Sequence, residues 1–126
     1  MSAAIIAHLE KLLGGPRDGA LLRYSLGNET LKMGDAAQAA VRLREAVERD
    51  ADFSAAWKLL GKALANCGQT AAALSAYEQG IAVAKKKGEL QAVKEMTVFA
   101  KRLRKSNGAE SFGSAPLLNP QKSAKN

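Results

Sequence analysis

The sequence predicts an all-α protein in which antiparallel helix–turn–helix units repeat along the chain. Alanine supplies much of the apolar content and aromatic residues make up only 5%. Small aliphatic side chains favour closely packed helices over a sheet, which is typically richer in β-branched and aromatic residues. A stretch of 34 residues, 20–53, aligns without a gap on residues 54–87, and such a period is typical of helical repeat proteins. The 126 residues suffice for one domain with a modest core.

Residues 1–16 are predicted to form a short helix that caps the N-terminal end of the repeats. Ile5, Leu9 and Leu12 recur on one helical face, and the Gly-Gly-Pro sequence that follows ends the helix. Such a cap is needed because each repeat buries its apolar face on a neighbour.

The N-terminal segment does not resemble a signal peptide, because it lacks a basic start and charged residues interrupt its apolar stretch. No stretch of the sequence reaches the ~18 apolar residues of a membrane span. The single Cys67 excludes an internal disulfide and fits a reducing compartment. We therefore expect a cytoplasmic protein without a transmembrane segment.

Each copy of the repeat is expected to fold as two helices separated by a glycine. Gly34 and Gly68 occupy equivalent positions suited to a helix C-terminus. Asp35 is expected to cap the helix after the first of these breaks, and Asp18 and Asp52 the helices that open the two copies. Further positions match in size between the copies: Leu26 with Leu60, Gly27 with Gly61, Ala37 with Ala71, Ala39 with Ala73, Leu43 with Tyr77 and Ala46 with Gly80.

These shared positions resemble the tetratricopeptide repeat family, whose 34-residue signature runs Trp-x2-Leu-Gly-x2-Tyr, then Ala-x3-Phe, then proline. The first copy departs from it with Arg23 at the tryptophan position, and Ala51 and Lys85 replace the proline. The resemblance covers residues 20–87 closely and 88–105 more loosely, and it implies a helical solenoid of about five to six helices. The second copy keeps an apolar or small residue at each of the other signature positions: Trp57, Leu60, Gly61, Leu64, Ala73 and Tyr77.

Gly61 stands inside a predicted helix, where glycine costs about 1 kcal/mol relative to alanine. Two antiparallel helices approach most closely where side chains are nearly absent, so we expect Gly61 to contact Ala73 on the next helix. Trp57, Leu60 and Tyr77 are then expected to fill the space on either side.

Residues 88–105 predict one further helix on the second repeat, either a cap or the first helix of a third repeat. Its apolar residues form one stripe that includes Met96 and Ala100. An uncovered face on this helix would promote self-association. The repeat domain would then span residues 17–105, and residues 106–126, rich in glycine, serine, asparagine and proline, are expected to form a disordered tail.

The sequence does not predict an enzyme. His8 is the only histidine and Cys67 the only cysteine, so neither a metal cluster nor a nucleophile–base pair is indicated. The sequence also lacks a phosphate-binding loop and a dinucleotide-binding glycine motif. We expect no catalytic residue, metal or cofactor.

The resemblance implies that the first helix of each pair lines a concave groove that takes a peptide or a partner helix. The spacing agrees, because Tyr24, Asn28 and Lys32 recur every four residues, as do their counterparts in the second copy. An alternative is that these are ordinary solvated helix residues. The predicted groove residues are Tyr24, Asn28, Leu31, Lys32, Lys58, Lys62 and Asn66.

The lysines and asparagines of these rows are able to hold a carboxylate through charge-assisted hydrogen bonds. This is similar to family members that clamp acidic C-terminal peptides, although Tyr24 stands where the first lysine of that clamp would be. The expected partner is therefore a protein or peptide, and an acidic one would suit the lysines.

All the excess positive charge lies in the last third of the chain, since residues 1–84 carry no net charge and residues 85–126 carry the +7. The alternative function is a basic accessory protein that binds nucleic acid through residues 85–105, although only Phe99 is available there for stacking. A membrane surface, an acidic protein or plain solvation near helix C-termini would also account for the charge. The candidate anion-binding residues are Lys94, Lys101, Arg102, Arg104 and Lys105.

Overall fold

The computed structural model describes residues 2–113 of the chain, and side chains from Ala3 to Ser106. This described region contains six helices and no strand, which confirms the predicted all-α repeat architecture. The helices are α1 (Ser2–Glu10), α2 (Ala20–Lys32), α3 (Ala36–Arg49), α4 (Ser54–Asn66), α5 (Thr70–Lys87) and α6 (Leu90–Gly113). None of these helices combines the length and the apolar content that a bilayer span requires.

The helices form two layers. Each helix packs against the next, and α4 also contacts both α2 and α6. By contrast, α3 and α5 make no contact with each other among the described residues. Because α2, α4 and α6 lie closer together than the helices behind them, the array curves with these three helices on its concave face. The position of α6 against both α4 and α5 is that of a first helix of a third repeat.

The two glycine breaks end α2 and α4 in the same way. Gly34 and Gly68 adopt left-handed φ values of 92° and 79°, which residues with a side chain rarely adopt. The amide after each glycine donates back to the helix, from Asp35 N to Thr30 O at 3.2 Å and from Gln69 N to Leu64 O at 2.9 Å. Both turns are therefore Schellman motifs, as the sequence indicated.

Asp35 caps α3 as predicted, since its carboxylate accepts a hydrogen bond from Gln38 N at 3.1 Å. The two other predicted caps are wrong. The residues that precede α2 and α4 are Gly19 and Phe53, and neither makes a side-chain cap.

The carboxylates expected to cap those helices bind cations instead. Asp18 accepts two hydrogen bonds from Arg23, at 2.9 and 2.7 Å, and one from Gly14 N at 2.9 Å. Asp52 accepts one from Lys86 Nζ at 2.9 Å. Residue spacing does not predict the pairing of Asp52 with Lys86, because Lys86 lies on a different helix, 34 residues further along the chain.

Gly61 allows a close helix approach, and the atoms nearest to it belong to Tyr77 rather than to the predicted Ala73. A Cβ on Gly61 would lie 2.5 Å from Tyr77 Cε1, and the three nearest atoms all belong to the Tyr77 ring. The first repeat has the same arrangement, with a Cβ on Gly27 at 2.5 Å from Leu43 Cγ. Each glycine therefore makes room for the large side chain at the Phe position of the signature.

Helix α6 runs beyond the predicted boundary at residue 105 and ends at Gly113. One glycine within a helix costs only about 1 kcal/mol, and the first helix-breaking proline of this region is Pro116. The remainder of the predicted tail, residues 114–126, lies outside the described residues.

Candidate binding face

The predicted groove residues of α2 are partly structural. Tyr24 packs against Phe53 with ring centroids 4.8 Å apart, and Leu31 packs against the core. Asn28 is half-buried, and Lys32 is exposed and pairs with Glu29 at 3.3 Å. This part of the concave face therefore offers few free polar groups.

The N-terminal halves of α4 and α6 are joined by polar contacts. Lys58 Nζ lies 2.7 Å from Glu95 Oε1, and the hydroxyl of Ser54 donates to Glu89. The hydrogen bond from Lys58, and then that from Gln91, lower the pKa of Glu95. Lys58, a predicted groove residue, is thus neutralised within the protein.

The C-terminal half of α4 and the middle of α6 border a cleft of about 290 Å³. It unites two sets of residues that the sequence analysis treated as separate. Lys62 and Asn66 come from the predicted groove, whereas Arg102 comes from the predicted basic segment. The cleft is lined by Lys62, Ala65, Asn66, Tyr77, Phe99, Arg102, Leu103 and Ser106.

The apolar part of the cleft includes two aromatic rings. Tyr77 of α5 is only 3% exposed, and its ring centroid lies 5.8 Å from that of Phe99 on α6 in a tilted arrangement. Phe99 and Leu103 are half-buried and pack on the same core cluster as Tyr77. An apolar side chain entering the cleft would therefore meet aromatic and aliphatic surface.

The hydroxyl of Tyr77 has no hydrogen-bond partner among the described residues. Burial raises the pKa of Tyr77 to about 12, so the group is a protonated donor at neutral pH. Because Tyr77 lines the cleft, its hydroxyl is available to an acceptor, either water or a ligand atom.

The cations of this region differ in how far they are already neutralised. Within the described residues, Lys62 and Arg102 are exposed and take part in no ion pair. Lys94, Lys101 and Lys105 are likewise exposed and unpaired there, but they do not line the cleft. Arg104 instead pairs with Glu78 at 3.1 Å. The predicted anion-binding residues thus do not form one cluster.

The remaining chemistry-bearing side chains are scattered. His8 is exposed, and the half-buried Cys67 donates weakly to Leu64 O at 3.5 Å. Among the side chains that the structure describes, Ala3 to Ser106, no group of histidine, cysteine and carboxylate residues is arranged to hold a metal ion.

Sequence reasoning did not assign Tyr77, Phe99, Leu103 or Ser106 to the groove. The first three carry the apolar pattern of core residues, and periodicity does not separate a core position from a cleft wall. Phe99 gave the one available signal, because its helical phase places it at the edge of the α6 apolar stripe.

Comparison with known proteins agrees with this architecture. A model of the tetratricopeptide repeat family matches residues 30–96, which is more than half of the chain. A TPR repeat-containing protein of Pseudomonas aeruginosa is 50% identical over 99 residues, which cover 79% of this chain and 94% of that protein.

Solved structures give the same result. A protein from Bordetella parapertussis, known from a solution structure, is 37% identical with a TM-score of 0.73, and the match covers 89% of this chain and 97% of that one. The Sgt2 TPR domain of Aspergillus fumigatus has a TM-score of 0.74 at 23% identity, with 98% of this chain and 80% of that one covered. At that identity the likeness concerns the fold alone.

Proposed function

The chain belongs to the tetratricopeptide repeat family, whose repeats generally mediate protein–protein interaction, and we propose that it is an adaptor that binds a protein on the concave face of α2, α4 and α6. Family members are typically non-catalytic scaffolds that bind protein partners, and we infer the same absence of catalysis here. The unpaired Cys67 fits a cytoplasmic setting, which is part of the proposal.

The cleft between α4 and α6 is the observation that supports this proposal most directly. Protein-binding surfaces typically combine an apolar centre with a polar rim. Here Tyr77, Phe99 and Leu103 supply the apolar part, and Lys62, Asn66 and Arg102 supply the polar one. At about 290 Å³ the cleft lies at the lower limit for small-molecule pockets, so its size suits one or two side chains of a peptide or a partner helix.

Affinity capture from the native lysate, with the lysate treated with nuclease and the bound proteins identified by mass spectrometry, tests the proposal. The bait variants are Lys62→Ala with Arg102→Ala on the concave face, and Arg44→Ala as the control. Arg44 is an exposed cation on α3, away from that face. We expect a protein that is retained by the wild type and by the control and lost by the concave-face double variant.

The proposal fails if the same proteins bind to all three baits, or if material is captured only from a parallel lysate that has not been treated with nuclease. The second outcome would favour the alternative of nucleic-acid binding through residues 85–105. Within that segment, Lys86, Lys87 and Arg104 already pair with carboxylates, which weakens the case for a phosphate-binding surface there.

A further inference from the structure

We propose that two copies of the chain associate through the outer surface of α3, on the convex side of the array. In this pair the two α3 helices run antiparallel, so that Arg44 of each copy contacts Glu48 of the other. The concave faces of both copies stay free for a protein partner, so self-association and the proposed function are tested separately.

A second groove of the molecule marks this surface. It has a volume of about 320 Å³ and lies beside α3, where α4 ends and α5 begins. It shares no lining residue with the cleft between α4 and α6. Most of its lining comes from α3, and the full set is Ala37, Ala40, Val41, Arg44, Glu45, Glu48, Leu64 and Gln69.

Val41 is the apolar centre of this surface. Its side chain is 48% exposed, and within α3 and α5, which are both fully described, no other large apolar side chain is exposed to this degree. A single exposed valine is ordinary in a soluble protein. This one borders a groove whose lining also includes Ala37, Ala40 and Leu64, so a second helix laid on α3 would cover a continuous apolar strip.

Arg44 and Glu48 are the two charged residues of α3 that have no partner within the described part of the chain. Glu45 pairs with Arg42 at 3.2 Å, and Arg49 donates to the main-chain oxygen of Glu45 at 3.2 Å. Arg44 and Glu48 stand four residues apart, which is the spacing of an intrahelical ion pair, yet no ion pair joins them. One cation and one anion are therefore left for a contact outside the chain.

The second repeat does not carry the same surface. The residue equivalent to Arg44 is Glu78, which Arg104 of α6 already binds at 3.1 Å. The exposed valine of the first repeat is replaced by Ser75. Because both repeats have the same fold, the valine and the two unpaired charges are a property of the first repeat and not a requirement of the repeat signature.

A surface with one free cation and one free anion on the same helix is complementary to itself. In a two-fold dimer residue i contacts residue j, and j contacts i. Arg44 and Glu48 are about 6 Å apart along the helix axis, so an antiparallel crossing midway between them forms both ion pairs at once. Val41, one turn before Arg44, is then covered by the end of α3 of the other copy. Because exposed ion pairs contribute little individually, we expect a weak dimer that dissociates on dilution.

The test measures the weight-average mass of the full chain by sedimentation equilibrium over a series of protein concentrations. Arg44→Glu and Glu48→Arg are each expected to weaken self-association at least about tenfold, because every reversal removes two ion pairs and brings like charges together. The double variant that carries both substitutions exchanges the two charges, and it should associate to within about twofold of the wild type. Urea midpoints close to that of the wild type would show that the variants are folded.

A mixture of the two single variants gives the sharpest result. One variant then carries two glutamates at positions 44 and 48 and the other carries two arginines, so the mixture should associate although neither variant does so alone. Lys94→Glu, at an exposed and unpaired cation of α6, is the control for a general effect of charge reversal. It should leave self-association unchanged.

A monomer at every concentration, or a dimer that neither α3 variant weakens, would overturn the inference. A dimer weakened by Lys94→Glu and not by Arg44→Glu would assign self-association to α6 instead. Failure of the two single variants to associate when mixed would show that positions 44 and 48 do not meet across the contact. Loss of a captured protein in the variant with Lys62→Ala and Arg102→Ala remains the test of the concave face, whichever of these results is obtained.

Discussion

At the scale of single residues, the contact between Gly61 and the Tyr77 ring connects the core to the cleft. Tyr77 lines the cleft on one side of the array, and its ring occupies the space that a side chain at position 61 would need. The signature glycine therefore shapes the cleft indirectly, because it leaves the space that this aromatic wall of the cleft occupies.

Gly61→Ala is expected to lower the free energy of unfolding by up to about 2 kcal/mol. Overpacking costs about 1–3 kcal/mol, and the better helix propensity of alanine returns at most about 1 kcal/mol. Urea unfolding followed by circular dichroism measures the change. The cost should be clearly smaller in a Tyr77→Ala background, and equal costs in the two backgrounds would show that the ring is not the obstacle.

Arg23 replaces the tryptophan of the signature with an ion network at the start of α2. Its guanidinium lies 2.7 Å from Asp18 and 2.8 Å from Glu45. The hydrogen bond from Arg23, followed by that from Gly14 N, lowers the pKa of Asp18 well below its ordinary range. For Glu45 burial acts to raise the pKa, but the hydrogen bonds from Arg23 and Arg42 outweigh it and the pKa is lowered.

Both carboxylates have a lower pKa in the folded than in the unfolded chain, so their contribution to stability is present above the unfolded values of about 4. It is lost as the pH falls through the folded values. Arg23→Gln should therefore lower the melting temperature at pH 7, and the difference from the wild type should shrink towards about pH 2. Thermal unfolding over this pH series is the measurement, and a difference that does not change with pH would contradict the account.

At the scale of helices, the ends of α3 and α4 show what local sequence predicts and what it does not. Asp35 caps α3 as its position indicates, because the bond to Gln38 N joins residues three apart. Asp52 has an equally suitable side chain but binds Lys86 of α5. Contacts between distant helices decide such cases, and residue spacing carries no information on them.

Asp35→Ala is expected to cost about 1 kcal/mol of stability, the usual effect of removing a helix N-cap. Asp52→Ala serves as the matched control, and it should cost clearly less because its ion pair with Lys86 is solvent-exposed. The two urea midpoints can be compared directly. Equal losses of stability in the two variants would show that the capping hydrogen bond of α3 contributes no more than the exposed ion pair of Asp52.

Helix α6 completes the concave face, so its docking matters for the cleft. Met96 is fully buried against Gly80 of α5, and Met96→Ala is expected to cost about 2–4 kcal/mol. Val98→Ala on the same helix, at a 44% exposed position, should change stability by less than about 0.5 kcal/mol. Chemical denaturation of the two variants separates these outcomes, and similar losses would show that α6 is not held through Met96.

At the scale of the whole molecule, the repeat made the fold predictable, since a 34-residue period and paired glycines determine the order and ends of the helices. Only part of the candidate binding face was predictable from the sequence. The row that contains Lys62 and Asn66 follows from helical spacing, but the cleft needs Arg102 and Phe99 from α6 and Tyr77 from α5. Which of these residues face one another depends on how α6 packs against α4, and no local pattern encodes that. The ion pair between Lys58 and Glu95 could not be predicted from the sequence for the same reason.

The most direct test of the central claim is an NMR titration of the ¹⁵N-labelled full chain with the partner protein identified by affinity capture. The account predicts that the largest amide shift changes lie along residues 61–66 of α4 and 98–106 of α6, with small changes in α1 and α3. Arg102→Gln should reduce these changes at equal concentration of the partner. The largest changes on α3, or no change at any amide, would contradict the assignment of the concave face as the binding site.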